Sequence, residues 1–194
     1  MKFVLASHNK KKLQELGDIL GILGIEIVPL PEGAPEPAED GETFEANARI
    51  KARAAAEFTG LPAIADDSGL CVDALDGAPG VYSARYSGGG DGENNAKLLR
   101  EMENVPDGKR TARFVCAIAC VLPDGREFTV RGACEGVITR ALSGDGGFGY
   151  DPLFYVPEYG CTFGVLPADV KNRVSHRAKA LAAFAETLKN QIQE

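Results

Sequence analysis

Three features of the sequence predict an α/β or α+β fold built on a mixed sheet. An apolar run at Lys2–Ala6 gives way to a helical apolar stripe, two long β-like runs flank Pro123-Asp124-Gly125, and an amphipathic helical stretch follows Ser175. At 194 residues the chain has the length of one domain, residues 1–194, with room for two lobes around one site. A chain of this length buries a sizeable core without disulfide or metal staples.

Taken in order, Lys2–Ala6 reads as a buried strand. Ser7-His8-Asn9 leads into a helix from Lys10 to about Leu23, with Leu13, Leu16, Leu20 and Leu23 on one face. Ile25–Val28 is a second strand, and Pro29 to Gly41 is a loop rich in proline and carboxylates. Thr43 suits the N-cap of a helix that runs to Phe58. Pro62–Ala65 and Leu70–Val72 read as short strands on either side of Asp66-Asp67-Ser68-Gly69, whose residue types suit a hairpin turn. Asp73–Gly92 reads as a glycine-rich loop and Glu93–Met102 as a helix. Thr111–Leu122 and Arg126–Ile138 form a hairpin, Thr139–Asp151 is a second glycine-rich loop, and the last helix starts near Ser175 with Leu181, Phe184, Ala185, Leu188 and Ile192 on one face.

Composition excludes several classes. An apolar fraction of 44% with 25% charged residues belongs to a folded globular chain rather than a disordered one. The net charge of −7 disfavours non-specific binding to nucleic acid or anionic membrane, so any polyanion must be met by a local cluster of cations. The apolar start is too short for a signal-peptide core, and Ile19 to Leu30 is too short to span a bilayer. The five cysteines include no C-x-x-C pair, which predicts free thiols in a reducing cytoplasm rather than a disulfide or zinc framework.

Five constellations could carry chemistry. Ser7-His8-Asn9 with Lys10, Lys11 and Lys12 sits at a helix start, where free N–H groups and the helix dipole favour phosphate. The dipole disfavours lysines there unless an anion offsets them, although a solvated cap with surface lysines would look the same. Asp66 and Asp67 are neighbours on an extended segment, so one of them enters a given site. A carboxylate there could hold Mg²⁺ or take a proton from water. Gly144 to Pro152 matches G-x-G-x-x-G, but Asp151-Pro152 follows where a dinucleotide fingerprint would open a helix. The loop is then either a plain strand connection or a platform presenting Phe148, Gly149, Tyr150 and Asp151. Ser175-His176-Arg177, with Lys171 upstream, again places cations at a helix start. Glu39, Asp40 and Glu42 lie before a helix carrying Asn47 and Lys51 at i, i+4, and one of these acids could complete a magnesium site.

These motifs occur together, in the order Ser7-x-Asn9-x-x-Lys12, Glu39-x-Gly41-x-Thr43-Phe44, Lys51-Ala52, Ala65-Asp66-Asp67-Ser68-Gly69-Leu70, Gly77-x-Pro79-Gly80-x-x-Ser83-Ala84-Arg85, Gly146-Gly147-Phe148-Gly149-Tyr150-Asp151-Pro152 and Ser175-His176-Arg177. As a set the chain resembles the inosine/xanthosine triphosphate pyrophosphatase family from Phe3 to about Leu188. The resemblance implies an elongated α/β fold of two lobes with the substrate cleft between them, usually a homodimer. It implies Mg²⁺-dependent hydrolysis of ITP, dITP and XTP between the α and β phosphates. By the same resemblance Ser7, Asn9, Lys12 and the intervening His8, Lys10 and Lys11 bind triphosphate with Lys51. Glu39 and Asp67 hold Mg²⁺, Asp67 also activates water, and Ser68 touches substrate. Phe148 stacks on the base beside Gly149, Tyr150 and Asp151, and Lys171, His176 and Arg177 reach the base and its 6-oxo group. Asp66 is then structural, accepting backbone N–H bonds in the turn. The chain departs from the family pattern at Ala46, Asp145 and Val165. A nucleotide sensor without turnover, a nicotinamide-dependent oxidoreductase and an RNA-binding protein are the rival readings. The proline after the glycine loop opposes the second and the negative charge opposes the third.

Overall fold

A computed structural model describes residues 2–22 and 24–193; Leu23 and the side chains of Lys11 and Ile192, named above, lie outside the described residues. The elements run β1 (Lys2–Leu5), α1 (Lys10–Ile22), β2 (Glu26–Pro29), α2 (Phe44–Thr59), β3 (Ala63–Val72), α3 (Asp91–Glu101), β4 (Thr111–Val121), β5 (Glu127–Ile138), β6 (Phe154–Val156), β7 (Cys161–Thr162), α4 (Ala168–Val174) and α5 (His176–Gln193). The seven strands form one mixed sheet in the order β2-β1-β3-β4-β5-β6-β7. β1 pairs parallel with β2, Phe3 opposite Ile27, and with β3, Leu5 opposite Ile64; helices α1 and α2 make the crossovers that parallel pairing requires. β6 pairs antiparallel with β5 and β7.

The chain divides into two compact units, residues 1–67, 116–132 and 177–194 in the first and 68–115 and 133–176 in the second. In the first unit, strand alternation sorts the core into two layers. Phe3, Leu5, Ile64, Cys116, Ile118 and Cys120 pack with Leu16 and Leu20 of α1 and with Leu181, Phe184 and Leu188 of α5. Val4, Ala63, Ala65 and Ala119 point the other way, onto Ala48, Ala52 and Ala55 of α2. α2 contributes only methyl groups to this layer, and its long side chains are left for other partners. Thr43 accepts the Ala46 N–H at 3.1 Å, and Gly60 ends the helix in a left-handed cap. A cap of this kind contributes about 1 kcal/mol.

The core of the second unit joins Leu70, Val72, Leu98, Met102, Phe114, Ile138, Tyr150, Phe154 and Phe163. Arg110 is buried there and donates to the carbonyl oxygens of Met102, Val105, Ile138 and Thr139, which satisfies chain ends at the close of α3 and β5.

The structure revises three readings of the sequence. Asp66-Asp67-Ser68-Gly69 is not a turn between two strands: β3 runs unbroken through all four residues. Lys12 and Arg177 stabilise the buried Asp66 carboxylate well enough to override local turn preference, so Asp66 meets cations rather than serving as a turn acceptor. The last helix, α5, starts at His176 as the sequence predicts, but a further short helix, α4, precedes it across extended Ser175. The loop after β3 holds short 3-10 turns at Asp73–Leu75 and Gly80–Arg85, and α3 begins at Asp91.

Candidate active site

In the first unit the site begins where β1 ends. Asn9 Oδ1 accepts the Lys12 N–H at 3.2 Å, which makes Asn9 the cap of α1, and Ser7 Oγ accepts the Asn9 N–H at 3.2 Å. His8 and Lys10 are exposed, and His8 Nε2 stands 3.4 Å from Glu36 Oε1. The Lys12 side chain turns inward, and its Nζ lies 3.0 Å from Asp66 Oδ2. Arg177, 2% exposed, places a guanidinium nitrogen 3.7 Å from the same oxygen. Burial alone would raise the Asp66 pKa, but Lys12, Arg177 and Lys51 overcome it and hold the carboxyl far below the usual range.

Asp67 faces a different set of partners. Lys51 Nζ lies 3.6 Å from Asp67 Oδ1 and 3.3 Å from Glu39 Oε2, so two carboxylates converge on one cation. Asn47 donates to Asp67 Oδ2 at 3.2 Å. Burial lifts the Asp67 pKa above the ordinary value, more than Lys51 and the Asn47 bond lower it. Burial would depress Lys51, but the carboxylates of Asp66, Asp67 and Glu39 reverse that, and it stays protonated. The cluster thus sets apart an Asp66 held as an anion and an Asp67 of raised basicity, the kind of division that acid–base chemistry uses.

Glu39 and Asp67 suit the protein's share of a magnesium site. Their oxygens already share a cation, and Mg²⁺ is commonly bound by one or two carboxylates with phosphate oxygens and water filling the rest. Among the described residues no group of three or more His, Cys, Asp or Glu side chains could hold a metal, so the protein itself offers no closed cage.

In the second unit Lys171, 5% exposed, pairs with Asp151 at 2.7 Å. The same Asp151 oxygen accepts the Phe148 N–H at 2.9 Å. Gly147 is left-handed at φ +72°, and a Cβ there would meet Asp151 Oδ2 at 1.9 Å, so only glycine lets the loop wrap this carboxylate. Lys171 Nζ lies 5.2 Å from the Phe148 ring centre and 5.6 Å from that of Phe163, within cation–π range. The Gly149 peptide is clamped by α3: its N–H donates to Asp91 at 2.7 Å and its carbonyl accepts from Asn95 at 3.0 Å. Tyr150 is buried and donates to the Ser83 carbonyl at 2.7 Å. His176 stacks on Phe114 at 4.8 Å, and Phe114 stacks on Phe163, so His176 and Lys171 flank one aromatic cluster.

The sequence-predicted residues therefore fall into two groups. Lys12, Glu39, Lys51, Asp67 and Arg177 cluster in the first unit with Asp66; Phe148, Gly149, Tyr150, Asp151, Lys171 and His176 cluster in the second. Half-buried Ser68 follows Asp67 on β3. Phe114, Phe163, Asp91 and Asn95 support the second group and carry no local signal except Asp91, an acid placed at a helix start. Among the described residues no helix is long and apolar enough to cross a membrane.

Such a mixed sheet, carrying a charged, largely buried cation–carboxylate cluster at a helix start and along a strand, defines an α/β protein with a candidate site of this kind. The model of the Ham1 family matches residues 3–187. The chain is 58% identical over 192 residues to the dITP/XTP pyrophosphatase of Desulforamulus reducens, covering 97% of this chain and 96% of that one. It is 54% identical over 191 residues to the dITP/XTP pyrophosphatase of Geobacter sulfurreducens, covering 96% of each. The structure of a HAM1 protein from Coxiella burnetii matches with a TM-score of 0.89 at 43% identity, covering 98% of this chain and 99% of that one. The chain belongs to the Ham1 family.

Proposed function

We propose that this enzyme is a nucleoside triphosphate pyrophosphatase that hydrolyses dITP, ITP and XTP at the α–β phosphate bond to a monophosphate and pyrophosphate, with Mg²⁺, and so clears deaminated purines from the nucleotide pool. The observation that carries the reading is the convergence of Glu39 and Asp67 on one cation beside the Lys12–Asp66–Arg177 cluster, in a chain whose relatives are named for this activity. The Asn9-capped start of α1, with Lys12 and Lys51, supplies donors and positive charge for the triphosphate. Magnesium held by Glu39 and Asp67 would neutralise charge on the phosphates and help place water in line with the leaving pyrophosphate. Asp67 takes the proton as the water oxygen bonds to the α-phosphorus. The bond from that phosphorus to the bridging oxygen breaks, and its electron pair leaves with pyrophosphate.

Phe148 offers a half-buried ring for stacking on the base. Lys171, His176 and Arg177 offer donors to a 6-oxo purine; a 6-amino group would bring its own donor against them and leave one unpaired, at a cost of about 1–3 kcal/mol. The proposal includes a cytoplasmic homodimer, whose mass sedimentation equilibrium would give. The deciding assay is a panel of nucleoside triphosphates with Mg²⁺, scored for pyrophosphate against orthophosphate. Pyrophosphate from ITP, dITP and XTP, with ATP and GTP far slower, is expected. Orthophosphate with a diphosphate product would mean attack at the γ-phosphorus and overturn the reading.

A further inference from the structure

Asn47 is a buried amide, 1% exposed, on the face of α2 one turn before Lys51. Its Nδ2 donates to Asp67 Oδ2 at 3.2 Å, and its Oδ1 accepts the Gly41 N–H at 2.8 Å. The second bond fixes the orientation of the amide, because a backbone N–H can meet only the oxygen end, and the nitrogen must then face the carboxylate. Gly41 lies two residues beyond Glu39. A Cβ at residue 41 would come within 2.7 Å of Asn47 Oδ1 and 2.8 Å of the Ala46 Cβ, so the loop reaches the amide only as glycine. Lys51 spans the same pair of partners, with Nζ on Glu39 and on Asp67. Two side chains of α2 therefore brace one strand carboxylate against one loop, the lysine by charge and the asparagine by directed hydrogen bonds.

We infer that Asn47 is a positioning residue: by fixing Asp67 at one end and the segment bearing Glu39 at the other, it holds the two carboxylates at the separation a divalent cation needs. The inference rests on the proposed role of Glu39 and Asp67 in holding Mg²⁺. A neutral donor suits this task. A second cation beside Lys51 would compete with the metal, and a carboxylate would repel Asp67. Asparagine takes one of the oxygen's hydrogen-bonding sites and leaves the anion its charge.

The test compares the parent with Asn47→Ala and Gly41→Ala, the second displacing the amide from the loop side should the first fail to fold. Mn²⁺ is titrated in the presence of α,β-methylene-ITP and followed by electron paramagnetic resonance, alongside ITP turnover over a Mg²⁺ series. Both variants are expected to weaken Mn²⁺ binding, and to raise the half-saturating Mg²⁺, by about 10–100-fold. At saturating Mg²⁺, kcat is expected to fall while the KM for ITP stays within about threefold of the parent. Parent-like Mn²⁺ affinity in both variants overturns the inference. So does an equal loss of metal affinity, ITP affinity and melting temperature, which would mark a merely structural residue. Should the parent release no pyrophosphate from ITP, the proposed function falls, and the Mn²⁺ affinities of variant and parent still decide the role of Asn47.

Discussion

Lys12 and Asp66 form a buried ion pair, Nζ to Oδ2 at 3.0 Å, with the Asp66 side chain wholly removed from solvent and Arg177 on its other flank. Removing one partner of such a pair costs about 3–5 kcal/mol, because the remaining charges stay buried. Asp66→Asn should therefore lower Tm by on the order of 10 °C near neutral pH. The folded pKa of Asp66 lies below its unfolded value of about 3.9, so its contribution to stability is complete above that value and is lost as pH falls through the folded pKa. The parent should lose Tm steeply below about pH 4, and the variant less steeply. Identical acid limbs in a Tm-against-pH series would show that the pair contributes nothing.

Asp67 should behave in the opposite way. Its folded pKa is raised, chiefly by burial, so its negative charge opposes folding. Asp67→Asn should keep or raise Tm at neutral pH and lower ITP turnover at saturating Mg²⁺ by roughly 10²–10⁴-fold. Turnover and melting of the two aspartate variants, measured together, separate the roles. An inactive, well-folded Asp66→Asn beside an active Asp67→Asn would reverse the assignment.

Arg177 is expected to carry base selectivity as well as its bond to Asp66. Arg177→Ala should reduce the ratio of kcat/KM for ITP over ATP by at least about tenfold, the scale of one lost hydrogen bond to a charged group. Paired kcat/KM measurements on the two nucleotides check it. A variant that kept both parent rates would place base recognition elsewhere.

Cys116, Cys120 and Cys134 are buried, and Cys71 and Cys161 are half-buried. Burial pushes the Cys120 thiol up to about 12. In a native titration with a chromogenic disulfide, only Cys71 and Cys161 should react promptly, with all five reacting in denaturant. Because the folded Cys120 keeps its proton after an unfolded thiol has lost it near about pH 8.5, stability should decline as pH rises above that point. Fast native labelling of Cys120, read by peptide mapping, would contradict this.

Local pattern made much of the fold legible. The leucines of α1, the Thr43 cap of α2 and the turn at Pro123-Asp124-Gly125 each announce an element within a few residues. Both ends of β3 read as strands, but its continuity was hidden because Asp66-Asp67-Ser68-Gly69 has turn chemistry, while its partners Lys12, Lys51 and Arg177 come from distant segments. α4, β6 and β7 are too short for periodicity to register. The motif residues of the site could be named from their order, but not their partners. Asn47 reads as one polar residue on an amphipathic helix until Asp67 and Gly41 are brought to it, and Asn95 likewise until Gly149 is.

The tight fit of Gly147 against Asp151 also constrains how this gene can drift. Exposed Asp145 can change codon with little penalty, but every replacement at codon 147 drives a β-carbon into the Asp151 carboxylate, whatever its chemistry. Giving up the acid at codon 151 removes that clash but also the ion pair with the buried Lys171 ammonium, and the left-handed backbone at 147 still strains any other residue. The two codons are therefore locked together, with each single step toward a new pair passing through a damaged protein. A randomised library spanning residues 144–151, selected for function, should return glycine at 147 wherever aspartate remains at 151.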